Sequence, residues 1–459
     1  MEAGQGVGFA VRGRIMHAPA RGVLDLHEDA VLVVDGAGAI EALHPSGSPA
    51  ARDATGRAAG AGRLLTLAPL EVLLPGLVDL HVHAPQWPQA GRALDLALRD
   101  WLVGETFPLE RRCEDPAYAE TIYRDLVCCL LANGTTTAAY FASLHEDASL
   151  VLARLCLELG QRALVGRVAM DDPGLCPPWL RDRSAAEGVA ATRRFIEAVR
   201  ALPGNEAARV RPLVTPRFIP SCSDALLRGL GELAASCGCA VQTHCSESDW
   251  ADEAVRARTG RSDTAALDGF GLLRPGSILA HCNLVDDADL GLIRARGAAI
   301  AHCPISNAYF AGAVLPLRRI LDAGVSVGLG SDLAGGYSPQ LLDNAREAMI
   351  AARLAESGTD PRLPPRDRGA GVAARISAAE AFWLATAGGG EALGLPVGCF
   401  LPGFGFDAVL FDAGSRGSNL RVWPGESAED LLERLVRQAG RSDIARVWVQ
   451  GRLVHEARA

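Results

Sequence analysis

Leu77-Val78-Asp79-Leu80-His81-Val82-His83 is the stretch on which the fold turns. Its apolar run Leu77–His81 reads as a buried strand, and the strand closes on His81 and His83. Successive strand side chains alternate between faces, so these two imidazoles share one. Adjacent imidazoles on one face are what a metal ion needs. Working outward, similar runs recur at Thr135–Phe141, Ala163–Met170, Val210–Thr215, Ala240–His244, Ser277–His281, Ala298–His302 and Val325–Gly330. Most gaps between them carry helical apolar periodicity, as in Ala117–Leu131, Ala191–Leu202 and Asp224–Ala235. Strands alternating with helices predict an α/β fold, a (β/α)8 TIM-type barrel. No GxGxxG follows the first strand, which disfavours an open doubly wound sheet. His244, His281 and His302 end three further strands and Asp332 ends the eighth. In a barrel the strand C-termini converge on one rim, so these distant side chains meet.

The ends of the chain read differently. Ala30–Val34, the turn Asp35-Gly36 and Ala39–Leu43 form a hairpin pattern. Phe406–Phe411, Arg446–Val449 and Arg452–Val454 are again strand-like, which predicts a small β-sandwich domain assembled from both ends. The expected division is 1–74 and 396–459 for that β domain and 75–395 for the barrel. Ser46–Gly62 and Glu356–Arg375 are rich in Gly, Ala, Pro and Arg and are expected to be surface loops.

Composition excludes several kinds of chemistry. Lys plus Arg is 45 and all of these are Arg, so the 459 residues contain no lysine. A Schiff base, a P-loop lysine and a carboxylated lysine bridging two metals are thereby ruled out. The net charge of −9 argues against nucleic acid or an anionic membrane as the main partner. Twelve cysteines stand without framework spacing, and residues 1–14 have no apolar leader core. A cytoplasmic enzyme with reduced thiols is expected.

Several motifs together resemble the amidohydrolase superfamily: PGLVDLHVHAPQ (Pro75–Gln86), THCSE (Thr243–Glu247), AHC (Ala280–Cys282) and GSDLAGGYS (Gly330–Ser338). Over most of the chain the resemblance narrows to the guanine deaminases. It is carried by GETFP (Gly104–Pro108), NGTTT (Asn133–Thr137), TPRF (Thr215–Phe218) and HCPISN (His302–Asn307). The resemblance implies one Zn2+ per subunit held by His81, His83, His244 and Asp332, with His281 close to the metal and its water and counted as a fifth metal residue. Three imidazoles and a carboxylate suit Zn2+, with Fe2+ a close rival.

The implied reaction is hydrolytic deamination of guanine to xanthine and ammonia. Asp332 takes a proton from the attacking water, Glu247 protonates N3, and His281 stabilises the tetrahedral centre. Arg217 offers a planar fork of donors for the ring carbonyl, Phe218 an apolar ring face, and Gln86 both a donor and an acceptor. The resemblance assigns these three to the purine. Trp87 is expected at the pocket mouth, and Cys245, Cys282 and Cys303 are expected to turn away from the site. A purine base is thus the expected partner, and the family likeness implies a homodimer. The alternatives are deamination of another aminated heterocycle, such as 8-oxoguanine, a pterin or an s-triazine, and a scaffold without catalysis. A scaffold is disfavoured because no metal ligand is missing.

Overall fold

The computed structural model describes residues 8–369 and 371–457. Half of the stretch read for a leader, residues 1–7, and Ala370 of the expected loop Glu356–Arg375 lie outside the described residues. Two four-stranded parallel sheets form the centre. The first comprises Leu77–His83, Thr135–Phe141, Arg162–Ala169 and Val210–Pro216. The second comprises Gln242–Cys245, Ile278–His281, Ala299–His302 and Ser326–Leu329. Isolated parallel bridges join the two at both seams, Val214 with Val241 and Val82 with Leu333. The Val214 N–H donates to Ala240 O at 3.0 Å, and the His83 N–H to Leu333 O at 2.8 Å. The eight strands therefore close on themselves as a barrel.

The barrel interior is filled by Val78, Leu80, Ala139, Leu164, Leu213, Ile278, Ala280, Ala299 and Ala301. Small residues dominate the second half, which lets the strands approach the axis closely. Outside, helices such as Pro116–Ala132 bury one apolar face, here Tyr123, Leu126, Val127 and Leu130. That helix starts where the sequence says it should. The Asp115 side chain accepts from the Ala117 N–H and Pro116 takes the first helical position.

Strands from both chain ends share one eight-stranded sheet. Glu71–Pro75 pairs antiparallel with Ala408–Asp412, placing Leu73 opposite Leu410. The strand alternates between two apolar layers. Leu73 faces Ile15, Phe400, Phe406 and Trp448, whereas Val72 and Leu74 face the barrel layer together with Val409 and Phe411. Gly76 then leads directly into the first barrel strand. A Cβ at Gly76 would lie 2.1 Å from the Thr136 hydroxyl oxygen, so no larger residue fits this passage. The sheet thus anchors the very strand that ends on His81 and His83.

One expectation is overturned. Within Ser46–Gly62, residues Pro49–Gly60 form a helix capped by Ser48, whose hydroxyl accepts from the Ala51 N–H at 3.0 Å. Only Ala51 and Ala54 of it are buried, packing on Ala10 and Val31. So small an apolar footprint leaves almost no periodicity to read, while alanine's helix propensity and the Ser-Pro start suffice locally. The second expected loop is mostly exposed and holds the one-turn helix Pro365–Arg368. No helix among the described residues is long and apolar enough to cross a membrane. All twelve cysteines are unpaired.

Candidate active site

His81, His83, His244 and Asp332 meet at the C-terminal rim, each offering a ligand atom within 4.8 Å of the others. The Nε2 atoms of His83 and His81 are 3.2 Å apart, and those of His83 and His244 are 3.0 Å apart. One oxygen of Asp332 lies 3.1 Å from His81 Nε2. Burial, and then the neighbouring imidazoles and Arg217, hold all three histidines well below their usual range. They are therefore neutral, the form that ligates metals. A carbonyl can only accept, so the Arg217 main-chain oxygen 2.6 Å from His244 Nδ1 keeps the proton there and frees Nε2. Several nitrogen lone pairs converging without a proton to share is the chemistry of a cation site. The donor set fits a metal ion.

The rim is locally strained. Ser246, His281, Cys282 and Asp332 all adopt positive φ, between 45° and 73°, which non-glycine residues rarely do. Asp332 lies beyond Leu329, the last residue of the eighth strand, and its loop is held from both sides. Asp79 accepts from the Ser331 N–H at 2.9 Å, and the Asp332 N–H donates to His81 O at 2.8 Å. Burial pushes Asp79 up to about 7.

His281 belongs to an overlapping group with His244 and Glu247. Its Nδ1 lies 2.9 Å from Asn307 Oδ1, and its Nε2 is buried without a protein partner, 3.7 Å from Glu247. Burial and the Asp332 carboxylate push Glu247 up to about 8, which favours its proton-carrying form. The main chain of Glu247 accepts from Asn283, and the preceding Ser246 N–H donates to the buried Asp263 at 2.9 Å.

Opposite the metal corner a cleft of about 360 Å³ is lined by Gln86, Trp101, Leu102, Arg217, Phe218 and Phe310 together with His83, His244, Glu247 and Asp332. All the expected substrate residues reach it. Trp87 does not: its indole N–H turns to Asp125 at 2.7 Å, and it does not line the cleft. Cys245, Cys282 and Cys303 are buried among core residues. Burial pushes His302 down to about 3, and it also stays out of the cleft.

The residue that sequence reasoning missed is Glu110. It follows the helix Leu98–Trp101 and a π-helical turn over Leu102–Thr106, and sits in the helix Phe107–Arg111. Glu110 is buried and accepts from Arg217 Nη1 at 2.7 Å, Arg217 Nη2 at 3.1 Å and Gln86 Nε2 at 2.8 Å. Burial works against the Arg217 charge, but Glu110 outweighs it and raises Arg217 above its usual value. The Arg217 guanidinium also stands over the Phe107 ring at 5.2 Å. GETFP stops two residues short of Glu110, and nothing in its spacing marks it as buried.

Barrel, rim quartet and cleft together form a site able to hold a metal ion beside a bound ligand, and the chain belongs to the amidohydrolase family, whose model matches residues 72–454. A probable guanine deaminase of Schizosaccharomyces pombe is 36% identical over 455 residues, covering 96% of this chain and 82% of that one. The structure of guanine deaminase from C. acetobutylicum with bound guanine in the active site superposes with a TM-score of 0.86. It is 27% identical and is matched over 98% of this chain and 100% of its own. A zinc-bound adenosine deaminase from Xanthomonas campestris matches with a TM-score of 0.79 at 25% identity, over 98% of this chain and 93% of its own.

Proposed function

We propose that this protein is a guanine deaminase that hydrolyses guanine to xanthine and ammonia. The observation that carries this is the buried Arg217–Gln86 pair facing the metal corner across one small cleft. A neighbour that acts on another purine shares the fold, so fold and metal corner alone do not choose the ring. A donor fork beside an amide does, because guanine presents a ring carbonyl next to a ring N–H.

His81, His83, His244 and Asp332 are the residues to hold one metal ion, and Zn2+ suits three imidazoles and a carboxylate best. When bound, such an ion lowers the pKa of water to about 7 and so supplies a nucleophile at neutral pH. The chain's own groups do the rest. Phe218 and Phe310 give apolar walls to the ring, and Arg217 fixes its carbonyl. Asp332 accepts a proton from the attacking water as oxygen bonds to C2. Glu247, whose burial favours its protonated form, delivers a proton to N3 from a carboxyl oxygen. His281 orients the water through Nε2 and faces the tetrahedral centre. Asp332 then passes its proton to the exocyclic amine, the C2–N bond breaks, ammonia leaves, and the proton of the new C2 hydroxyl returns to Glu247 as the carbonyl of xanthine forms.

An ammonia-release screen over guanine, adenine, cytosine, 8-oxoguanine and ammeline tests the reading. Guanine is expected to be the best substrate; no ammonia from guanine, with release from another ring, would overturn it. Unpaired cysteines support a reducing compartment, the cytoplasm. A homodimer is the expected assembly, checked by light scattering.

A further inference from the structure

We infer that Glu110 is a positioning residue that fixes the hydrogen-bond polarity of the ring-binding wall and thereby selects 6-oxo purines. The inference rests on the guanine reading and deepens it. An ionised carboxylate only accepts. Glu110 Oε1 at 2.8 Å from Gln86 Nε2 therefore forces the NH2 end of that amide towards itself. The other end, Gln86 Oε1, is buried and has no protein partner, and Gln86 lines the cleft. Gln86 is thus locked as an acceptor towards the ring. The same carboxylate takes one N–H from each terminal nitrogen of Arg217, so the plane of the fork is set as well. The remaining guanidinium hydrogens stay available to the cleft that Arg217 lines.

A locked acceptor beside a locked donor is the complement of a ring lactam, an N–H next to a C=O. Guanine presents this at N1 and O6. A 6-amino purine presents the reverse, a bare ring nitrogen next to an amine. Without Glu110 the Gln86 amide could turn over and pair with either pattern. Arg217 would also lose the buried counter-charge that holds its fork in one plane, and a buried unpaired charge moves or draws in water. Glu110 need not touch the ring for any of this.

Equilibrium binding of hypoxanthine and of unsubstituted purine to the full-length, metal-loaded protein, measured by titration calorimetry, tests the inference. Hypoxanthine keeps N1–H and O6 but has no 2-amino group to lose, so binding is read without turnover. The wild type is expected to prefer hypoxanthine by roughly 30-fold or more, about what two buried hydrogen bonds provide. Glu110→Gln should reduce that ratio about 10-fold with metal content unchanged, and in an Arg217→Ala background it should add less than about twofold, because coupled residues are not additive. Glu110→Asp keeps the charge but withdraws it by one methylene. It should reduce the ratio by a smaller factor, about threefold, and it decides the matter if Glu110→Gln does not fold. A wild type without preference, a ratio unchanged in folded Glu110→Gln or Glu110→Asp, or fully independent effects of Glu110 and Arg217 would each overturn the inference. Failure of guanine to release ammonia would overturn the guanine reading alone, since the hypoxanthine ratio does not depend on it.

Discussion

The two walls of the cleft are built in opposite ways. The metal corner is made from strand ends and the turns just after them, each side chain placed by the pleat and hydrogen-bond ladder of a closed barrel. The ring-binding wall is made from Gln86 after the first strand, Arg217 and Phe218 after the fourth, and Glu110 on a helical excursion in between. At the metal corner the ladder fixes each imidazole close to the backbone, whereas on the ring-binding wall the polar tips of Gln86 and Arg217 are gripped by one carboxylate. Damage to the first should be all or nothing, and damage to the second should be graded.

The largest effect is therefore expected at the metal corner. His81→Ala or Asp332→Ala should abolish turnover and lower bound metal below one equivalent while the circular dichroism spectrum is unchanged, since the barrel interior is packed by other side chains. Metal analysis together with ammonia release checks this. An Asp332→Ala variant that keeps metal and more than a few per cent of its activity would remove Asp332 from its role as base.

Next comes Glu247, which lies between the two walls. Glu247→Gln keeps the shape but cannot pass the proton, so kcat should fall ~10²–10⁴-fold with metal content unchanged. Loss of metal from this variant would move Glu247 into the corner as a ligand.

On the ring-binding wall, Arg217→Ala should cost about 10- to 150-fold in kcat/KM for guanine, the price of a charge-assisted hydrogen bond in a dry site. The gap between guanine and 2-aminopurine, which lacks the carbonyl, should narrow. If both substrates suffer equally, Arg217 serves the structure and not the ring.

The smallest effect on activity is expected behind the rim. Burial, with Asp252 and Asp289 near, pushes Asp263 up to about 7. Between its unfolded value of about 3.9 and 7 the folded protein holds a proton that the unfolded chain has released. Stability contributed by the protonated group is thus lost as pH rises through that window and stays lost above it. Asp263→Asn should unfold at a higher temperature than the wild type, with a difference that grows from pH 4 to 7 and then levels off, and with kcat within about twofold. Thermal melts across pH check it; a difference independent of pH would mean that Asp263 is ionised throughout.

The same contrast explains what a reader of the sequence could see. His81 and His83 were legible because a two-residue period in a strand is local, and His244, His281 and Asp332 because each follows an apolar run. Arg217 and Phe218 were reached through the likeness of the TPRF stretch, just beyond such a run. Glu110 was not legible, since its burial depends on Gln86 and Arg217, residues far away along the chain. The helix Pro49–Gly60 escaped for a simpler reason, having only two alanines to bury. For Glu110 the information lay in tertiary contact; for the helix it lay in alanine propensity and the Ser-Pro start, which leave no apolar spacing to read.

Arg217 joins the walls in one further way. Its carbonyl orients His244 while its guanidinium faces the cleft. The carbonyl is common to all twenty amino acids; the guanidinium is not. A lineage could exchange the side chain at this position, and with it the ring that is accepted, while the imidazole stayed aimed at the metal. New substrates could thus be explored by single codon changes on a reactive centre that is already assembled, one route by which a single scaffold could come to serve many nitrogen-containing rings.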